Sequence, residues 1–242
     1  MNIILSFILA FSIGAFAKDT KKAAQTTTTT ESAAVAQTTA PQFSKLPGII
    51  FTPSETVFEE VTLSKSTFLA DKNLNLELKP ISYGIRKKKV FGLATVKVYV
   101  LEFAAADPSK LVKTEDGILA SLKEAGAVQL KLTLTRDVGG SKISDSFKDS
   151  LAHNGVDIAN PSKELGQLLI EVSSIKEFSK GQSFTLTAVY GKDSNATLYA
   201  HKPDGSFKVI SGPSGFVHDL FSIWFGKPVD DHMENLKKTL LK

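Results

Sequence analysis

A run of four cations, Arg86–Lys89, is the part of this 242-residue sequence most suited to binding an anion. In the segment Val96–Val100 that follows, valines alternate with Lys97 and Tyr99. A guanidinium can hold a carboxylate through two parallel hydrogen bonds, and a phenol can donate a third. The alternation predicts a strand on which Lys97 and Tyr99 share one face. Considered alone, however, a cationic run is more often solvated surface than a binding site.

Other kinds of site chemistry have no support in the sequence. The chain contains no cysteine, which excludes disulfides, thiolate metal sites and a cysteine nucleophile. Ser214 does not lie in a G-x-S-x-G elbow, and Gly139–Gly140 lacks the Lys-Ser/Thr of a phosphate loop, so we predict a hairpin turn at the two glycines. The four histidines lack metal-ligand spacing: His153, His201, His218 and His232. We therefore predict no metal and no cofactor, and the net charge of +4 is too diffuse to indicate a nucleic-acid partner.

Residues 1–17 have the pattern of a secretory signal peptide. Residues 3–17 are apolar and uncharged, and they end in Ala15-Phe16-Ala17 before Lys18. Because Met1-Asn2 contains no Lys or Arg, an uncleaved anchor is the alternative, although the apolar stretch is shorter than the roughly 20 residues of a membrane span. Cleavage would leave a periplasmic or secreted protein without a stable membrane span.

Residues 18–42 are rich in Thr, Ala and Gln and contain almost no large apolar side chain. Such a composition cannot bury enough surface to offset the entropy lost on ordering, which predicts a disordered tether. The remaining residues, 43–242, are enough for one domain with a sizeable core.

Apolar periodicity predicts both strands and helices in this domain. Alternation with a period of two predicts strands at 73–79, 129–135, 183–190, 195–201 and 206–210, and it favours antiparallel pairing. Helical spacing with Pro and Gly near the ends predicts helices at 107–126, 144–155, 161–178, 215–226 and 230–242. The mixture predicts an α+β fold in which helices cover one face of a mostly antiparallel sheet.

Three segments of the chain carry a resemblance to a known family. Tyr83–Val100, YGIRKKKVFGLATVKVYV, resembles the strand-pair motif of the chalcone isomerase-like superfamily. The tail, SGPSGFVHDLFSIWFGKPVDDHMENLKKTLL, is similar to the closing helices of that superfamily, including the pattern I-W-h-G-x-P-h-D. The intervening GQSFTLTAVYGKDSNATLYAHKPDGSFKVISG matches a strand pair in order and spacing. The similarity covers roughly Leu74 to Leu241 and points to the bacterial secreted and fatty-acid-binding branches.

The resemblance implies an open-faced β-sandwich with a ligand cleft between the sheet and the helices. In the fatty-acid-binding branch, an Arg and a Tyr on adjacent strands reach the ligand carboxylate, and their spacing matches Arg86 and Tyr99. The resemblance thus implies that Arg86 donates two hydrogen bonds to the ligand carboxylate and that Tyr99 donates a third from its hydroxyl. The catalytic tyrosine of the plant isomerases aligns with Ile143, which has no hydroxyl with which to polarise a carbonyl.

We therefore expect an exported, non-catalytic protein that binds a small amphipathic carboxylate such as a fatty acid. One alternative is an isomerase or intramolecular lyase of the chalcone isomerase type that acts on another enone or phenolic substrate, with Arg86 steering an oxyanion and Tyr99 acting as the acid. Another is a structural envelope protein whose own side chains fill the cleft.

Overall fold

An antiparallel sheet of eight strands dominates the computed structural model, which describes residues 43–90 and 94–242. Each strand pairs with the strand before it in sequence, so the sheet order is the chain order. The strands are β1 (Gly48–Phe58), β2 (Val61–Asp71), β3 (Leu74–Val90), β4 (Ala94–Ala105), β5 (Ala127–Leu134), β6 (Ser183–Tyr190), β7 (Asn195–His201) and β8 (Phe207–Pro213). The predicted antiparallel sheet is confirmed. The predicted signal peptide, residues 1–17, and the predicted tether, residues 18–42, lie outside the described residues.

Helices cover one face of this sheet, as predicted. They are α1 (Ile118–Ser121), α2 (Gly140–His153), α3 (Lys163–Ser174), α4 (Gly215–Phe225) and α5 (Asp231–Leu240). The core lies between the two layers, because inward side chains of β4–β7 form one buried cluster with those of α2–α5. The helix α4 is buried along most of its length, which agrees with its nearly continuous apolar sequence. Within the described ranges, no helix combines the length and apolar character needed to cross a membrane.

Two local predictions are wrong. The long helix predicted at 107–126 is replaced by 3-10 turns at Pro108–Lys110 and Leu122–Ala125 and by the single turn α1, since Gly117 interrupts the segment. The hairpin turn predicted at Gly139–Gly140 is instead the beginning of α2. The backbone N–H of Gly140 donates to the carbonyl oxygen of Ile175 at 3.1 Å, so glycine is needed there for close approach to the end of α3.

The strand β3 is long enough to serve both halves of the sheet. Its first residues, Leu74–Leu78, pair with β2, and the remainder, from Lys79 to Val90, pairs with β4. The strand β2 then lies against the sheet face that the helices leave uncovered. There, Lys131 Nζ contacts Glu102 Oε1 at 2.8 Å and Ser64 Oγ at 3.0 Å. The helix-covered face of β3 and β4 therefore remains available for a site.

Candidate functional site

A cavity of about 410 Å³ lies between the helix-covered ends of β3 and β4 and the helices α2, α4 and α5. This volume falls within the roughly 300–1,000 Å³ range of small-molecule sites. Its walls are largely apolar and include Val96, Val98, Ile143, Phe147, Ile223 and Met233. Arg86 and Tyr99, the two residues singled out in the sequence, both line the cavity.

A β-bulge in β4 brings Arg86 and Tyr99 together. Arg86 pairs directly with Tyr99 across the two strands, whereas the next pair is Lys87 with Lys97, so Val98 is the extra residue. Because of this insertion, Val98 and Tyr99 both face the cavity although they are neighbours in sequence. The prediction that Lys97 shares a face with Tyr99 is wrong, because Lys97 does not line the cavity and its ammonium pairs with Glu59 of the β1–β2 turn.

Arg86 is buried, with 4% of its surface exposed, and its charge is paired within the protein. Its Nη1 and Nη2 atoms donate to Asp230 Oδ1 and Oδ2 at 2.8 and 2.6 Å, and Nη1 also donates to the carbonyl oxygen of Lys87. Asp230 is also the N-cap of α5, since Oδ1 accepts a hydrogen bond from Met233 N–H at 2.8 Å. Burial alone would raise the pKa of the Asp230 carboxyl, but the hydrogen bonds from Arg86 and Met233 lower that pKa below its ordinary value.

One edge of the Arg86 guanidinium keeps two donors free. A guanidinium carries five N–H groups, and the three bonds to Asp230 and Lys87 use both protons of Nη1 and one of Nη2. The Nε proton and the second Nη2 proton point along the same edge and have no acceptor among the described residues. Two parallel N–H groups at this spacing match the two oxygens of a carboxylate. Arg86 can therefore bind Asp230 and a second carboxylate at the same time.

Tyr99 supplies a neutral hydroxyl beside Arg86. Its side chain is almost wholly buried, and burial raises the pKa of the phenol, although nearby Arg86 and a hydrogen bond from Trp224 act in the opposite direction. Trp224 Nε1 donates to Tyr99 Oη at 3.0 Å. Because the phenol oxygen already accepts this bond, its own proton is available for an acceptor in the cavity. The apolar sequence around Trp224 indicates only a core position, so the sequence does not reveal this bond.

Comparison with known proteins places this architecture in a family. A family model described as chalcone isomerase-like matches residues 55–242. The chain belongs to the chalcone isomerase-like family. The fold is similar to the crystal structure of a fatty-acid binding protein from Arabidopsis thaliana, with 13% identity and a TM-score of 0.51 over 76% of this chain and 92% of that chain. No curated protein matches the sequence.

Within this chalcone isomerase-like fold, Ile143 lies on the helix-layer side of the cavity. It belongs to the first turn of α2, is 7% exposed, and lines the cavity together with Phe147 one turn later. This is the position at which the sequence resemblance places the tyrosine of the plant isomerases. An isoleucine here adds apolar wall and offers no proton donor to a substrate carbonyl.

Exposed charged side chains mark the opening of the cavity to solvent. Lys88, Arg136 and Lys142 are cationic, and Asp137 and Glu177 are anionic. Among residues 43–90 and 94–242, none of these five side chains forms an ion pair. Their charges are therefore not neutralised by a partner at the cavity opening. The surplus of one positive charge at the opening weakly favours the approach of anions. In the same described ranges, no group of three or more His, Cys, Asp or Glu side chains is placed to hold a metal ion.

Proposed function

We propose that this domain binds a small amphipathic carboxylate, such as a fatty acid, in the cavity between its sheet and its helices. The observation that carries the proposal is that Arg86, with two N–H groups free, and its cross-strand neighbour Tyr99 both line a cavity whose walls are largely apolar and whose other charged side chains lie at its opening. In this arrangement the carboxylate receives two bonds from Arg86 and one from Tyr99. The acyl chain lies against Val98, Ile143 and Met233.

The acyl chain contributes most of the affinity, and the head group contributes orientation and selectivity. Each buried methylene is worth about 0.8 kcal/mol, so ten of them supply roughly 8 kcal/mol. A charge-assisted bond from an arginine to a carboxylate adds about 1.5–3 kcal/mol. Association costs several kcal/mol, which the head group alone would not offset. The cavity volume and its apolar walls are therefore as important to the proposal as Arg86.

The fatty-acid binding protein from Arabidopsis supports the same class of ligand through its shared fold. The isoleucine at position 143 favours binding over catalysis, because the site then lacks the tyrosine that the isomerases use. The rival activity is the intramolecular lyase reaction on an enone or phenolic substrate. Turnover of a chalcone that disappears in Tyr99→Phe would overturn the non-catalytic proposal.

Isothermal titration with dodecanoate tests the proposal. Wild-type protein should bind, and Arg86→Ala should lose about tenfold or more in affinity, since a charge-assisted interaction is removed. Arg86→Lys keeps the charge but cannot present two parallel donors, so it should also lose affinity. The matched control is Arg136→Ala, which removes the other arginine, at the cavity opening, and should change affinity by no more than a few-fold.

A neutral ligand separates loss of binding from loss of folding. Dodecanol has the same chain length without the charge, so Arg86→Ala should bind it nearly as wild type does. Equal affinity of wild type and Arg86→Ala for dodecanoate would remove Arg86 from the site. Absence of any dodecanoate binding to wild-type protein would overturn the proposed function as a whole.

We also propose that the protein is exported to the periplasm or beyond the cell. The apolar residues 3–17 and the A-x-A pattern at Ala15–Ala17 support a signal peptide, and the composition of residues 18–42 supports a tether ahead of the domain at 43–242. Intact-mass measurement of the protein isolated from its host tests this. A mature chain that begins at Lys18 is the expected result, and an uncleaved chain in the cytoplasm would contradict it.

A further inference from the structure

The carboxylate of Asp230 occupies the Nη1–Nη2 edge of Arg86, which is adjacent to the free Nε–Nη2 edge. It bonds both Nη atoms, at 2.8 and 2.6 Å, and its side chain is 37% exposed whereas that of Arg86 is 5% exposed. Arg86 and Asp230 together carry no net charge. An anion that binds the free edge of Arg86 therefore meets an arginine whose charge is already balanced by a carboxylate on the adjacent edge.

We propose that Asp230 is a specificity-determining residue that sets how much anionic charge the site accepts in a ligand head group. This inference rests on the proposed function, since it concerns the same site. From the adjacent edge of Arg86, Asp230 repels each negative charge of the head group, and this repulsion opposes the attraction of the free edge. A carboxylate, with one negative charge, can be accepted, whereas a phosphate head group with two charges meets twice the repulsion.

The second role of Asp230 makes the charge effect separable from structure. Its Oδ1 caps α5 by accepting from Met233 N–H, and asparagine caps helices as well as aspartate does. Asp230→Asn therefore retains a capping oxygen, removes the charge, and replaces the oxygen that accepts from Arg86 Nη2 by an amide nitrogen that cannot accept; dodecanol, which has no charge, reports any effect of that lost bond. Asp230→Ser provides a second neutral variant with a capping oxygen. The neighbouring Asp231→Asn makes the same change of charge in a residue that forms no hydrogen bond with Arg86.

Titration of three ligands with twelve-carbon chains tests the proposal at pH 8. Dodecanol, dodecanoate and dodecyl phosphate carry zero, one and nearly two negative charges at this pH. In Asp230→Asn we expect no change for dodecanol, about tenfold tighter binding of dodecanoate and about a hundredfold tighter binding of dodecyl phosphate. The logarithm of the affinity gain should thus rise in proportion to ligand charge. In Asp230→Ser the gain in affinity should depend on ligand charge in the same way. In Asp231→Asn the affinity for each of the three ligands should change by no more than about twofold.

The outcomes distinguish this inference from the proposed function. An equal change for all three ligands in the neutral variants would mean that Asp230 acts only through α5, and it would overturn the inference. Unchanged or weaker binding of dodecanoate in both neutral variants would overturn it as well. In each of these cases the wild type still binds dodecanoate and the proposed function stands. Wild-type protein that binds no dodecanoate would overturn both.

Discussion

The indole N–H of Trp224 donates to the hydroxyl oxygen of Tyr99 at 3.0 Å, inside the buried layer between sheet and helices. This bond joins α4 to β4 across 125 residues of sequence. It satisfies the only polar side-chain atom of a fully buried tryptophan and uses one acceptor position of the phenol oxygen. Because the phenol oxygen accepts from the core, its own proton is left for an acceptor in the cavity in which we place the ligand head group.

Removing that hydroxyl should weaken both ligand binding and the fold. Tyr99→Phe deletes a hydrogen bond worth about 1 kcal/mol to the ligand, so titration should show roughly five- to tenfold weaker binding of dodecanoate. It also leaves Trp224 Nε1 buried without an acceptor, which should lower the free energy of unfolding by about 1–3 kcal/mol in urea. Tyr83→Phe is the control, because Tyr83 is exposed on β3 and outside the cavity. Equal dodecanoate affinity in the two variants would contradict a role for Tyr99 in binding.

Chain-length dependence should report the depth of the cavity. Affinity for saturated carboxylates should rise about fourfold per methylene, in line with roughly 0.8 kcal/mol each, until the cavity is full. Ile143→Trp places a larger side chain in the cavity wall. In this variant the affinity should stop rising at a shorter acyl chain, so that its plateau begins earlier than in wild type. Ile170→Trp, at a position 68% exposed on α3, should leave the plateau unchanged. A plateau at the same chain length in wild type and Ile143→Trp would place the acyl chain elsewhere.

The two adjacent glycines at the start of α2 should differ in their tolerance of a methyl group. A Cβ on Gly140 would meet the carbonyl oxygens of Ile175 and Val172, whereas a Cβ on Gly139 would find its nearest neighbour at 3.7 Å. Backbone atoms cannot yield as a side chain does, so Gly140→Ala should lower the free energy of unfolding by about 3 kcal/mol. Gly139→Ala should cost no more than about 1 kcal/mol. Urea denaturation of both variants measures the difference, and similar midpoints would contradict the close packing of α2 on α3.

The ion pair between Arg86 and Asp230 should make stability depend on pH in the acid range. The pKa of the Asp230 carboxyl is lowered in the folded protein from an ordinary value of 3.8, so the pair contributes its full stabilisation above that value. The contribution is lost as the pH falls from 3.8 through the lowered pKa of the folded state, because over that range the unfolded state binds a proton that the folded state does not. Urea midpoints measured from pH 7 to pH 3 should therefore fall less steeply in Asp230→Asn than in wild type. The variant Asp231→Asn retains the ion pair, so its urea midpoints should change with pH as those of wild type do. Urea midpoints that fall as steeply in Asp230→Asn as in wild type would contradict the prediction.

The architecture of this protein could be predicted from short-range patterns. Alternating leucines predicted β5, and the apolar segment between Gly215 and Gly226 predicted α4. Both predictions were possible because the spacing of buried apolar residues along the chain follows the geometry of the strand or helix that contains them. The failure at 107–126 arose where helical periodicity continued through a segment that Gly117 interrupts. The start of α2 was missed because its two glycines serve packing against α3, and a turn requires the same residue type.

The site was only partly accessible to the same reasoning. The sequence by itself, through its resemblance to the family, implied that Arg86 and Tyr99 lie on adjacent strands, and the structure lines one cavity with both, although their binding role stays a prediction. Tertiary structure decided that a bulge at Val98 turns Tyr99 inward and Lys97 outward, because strand register depends on the partner strand. It also decided that Arg86 meets Asp230, 144 residues away. Periodicity reports which face of an element is buried, whereas the partner of a buried charge is set by the path of the whole chain.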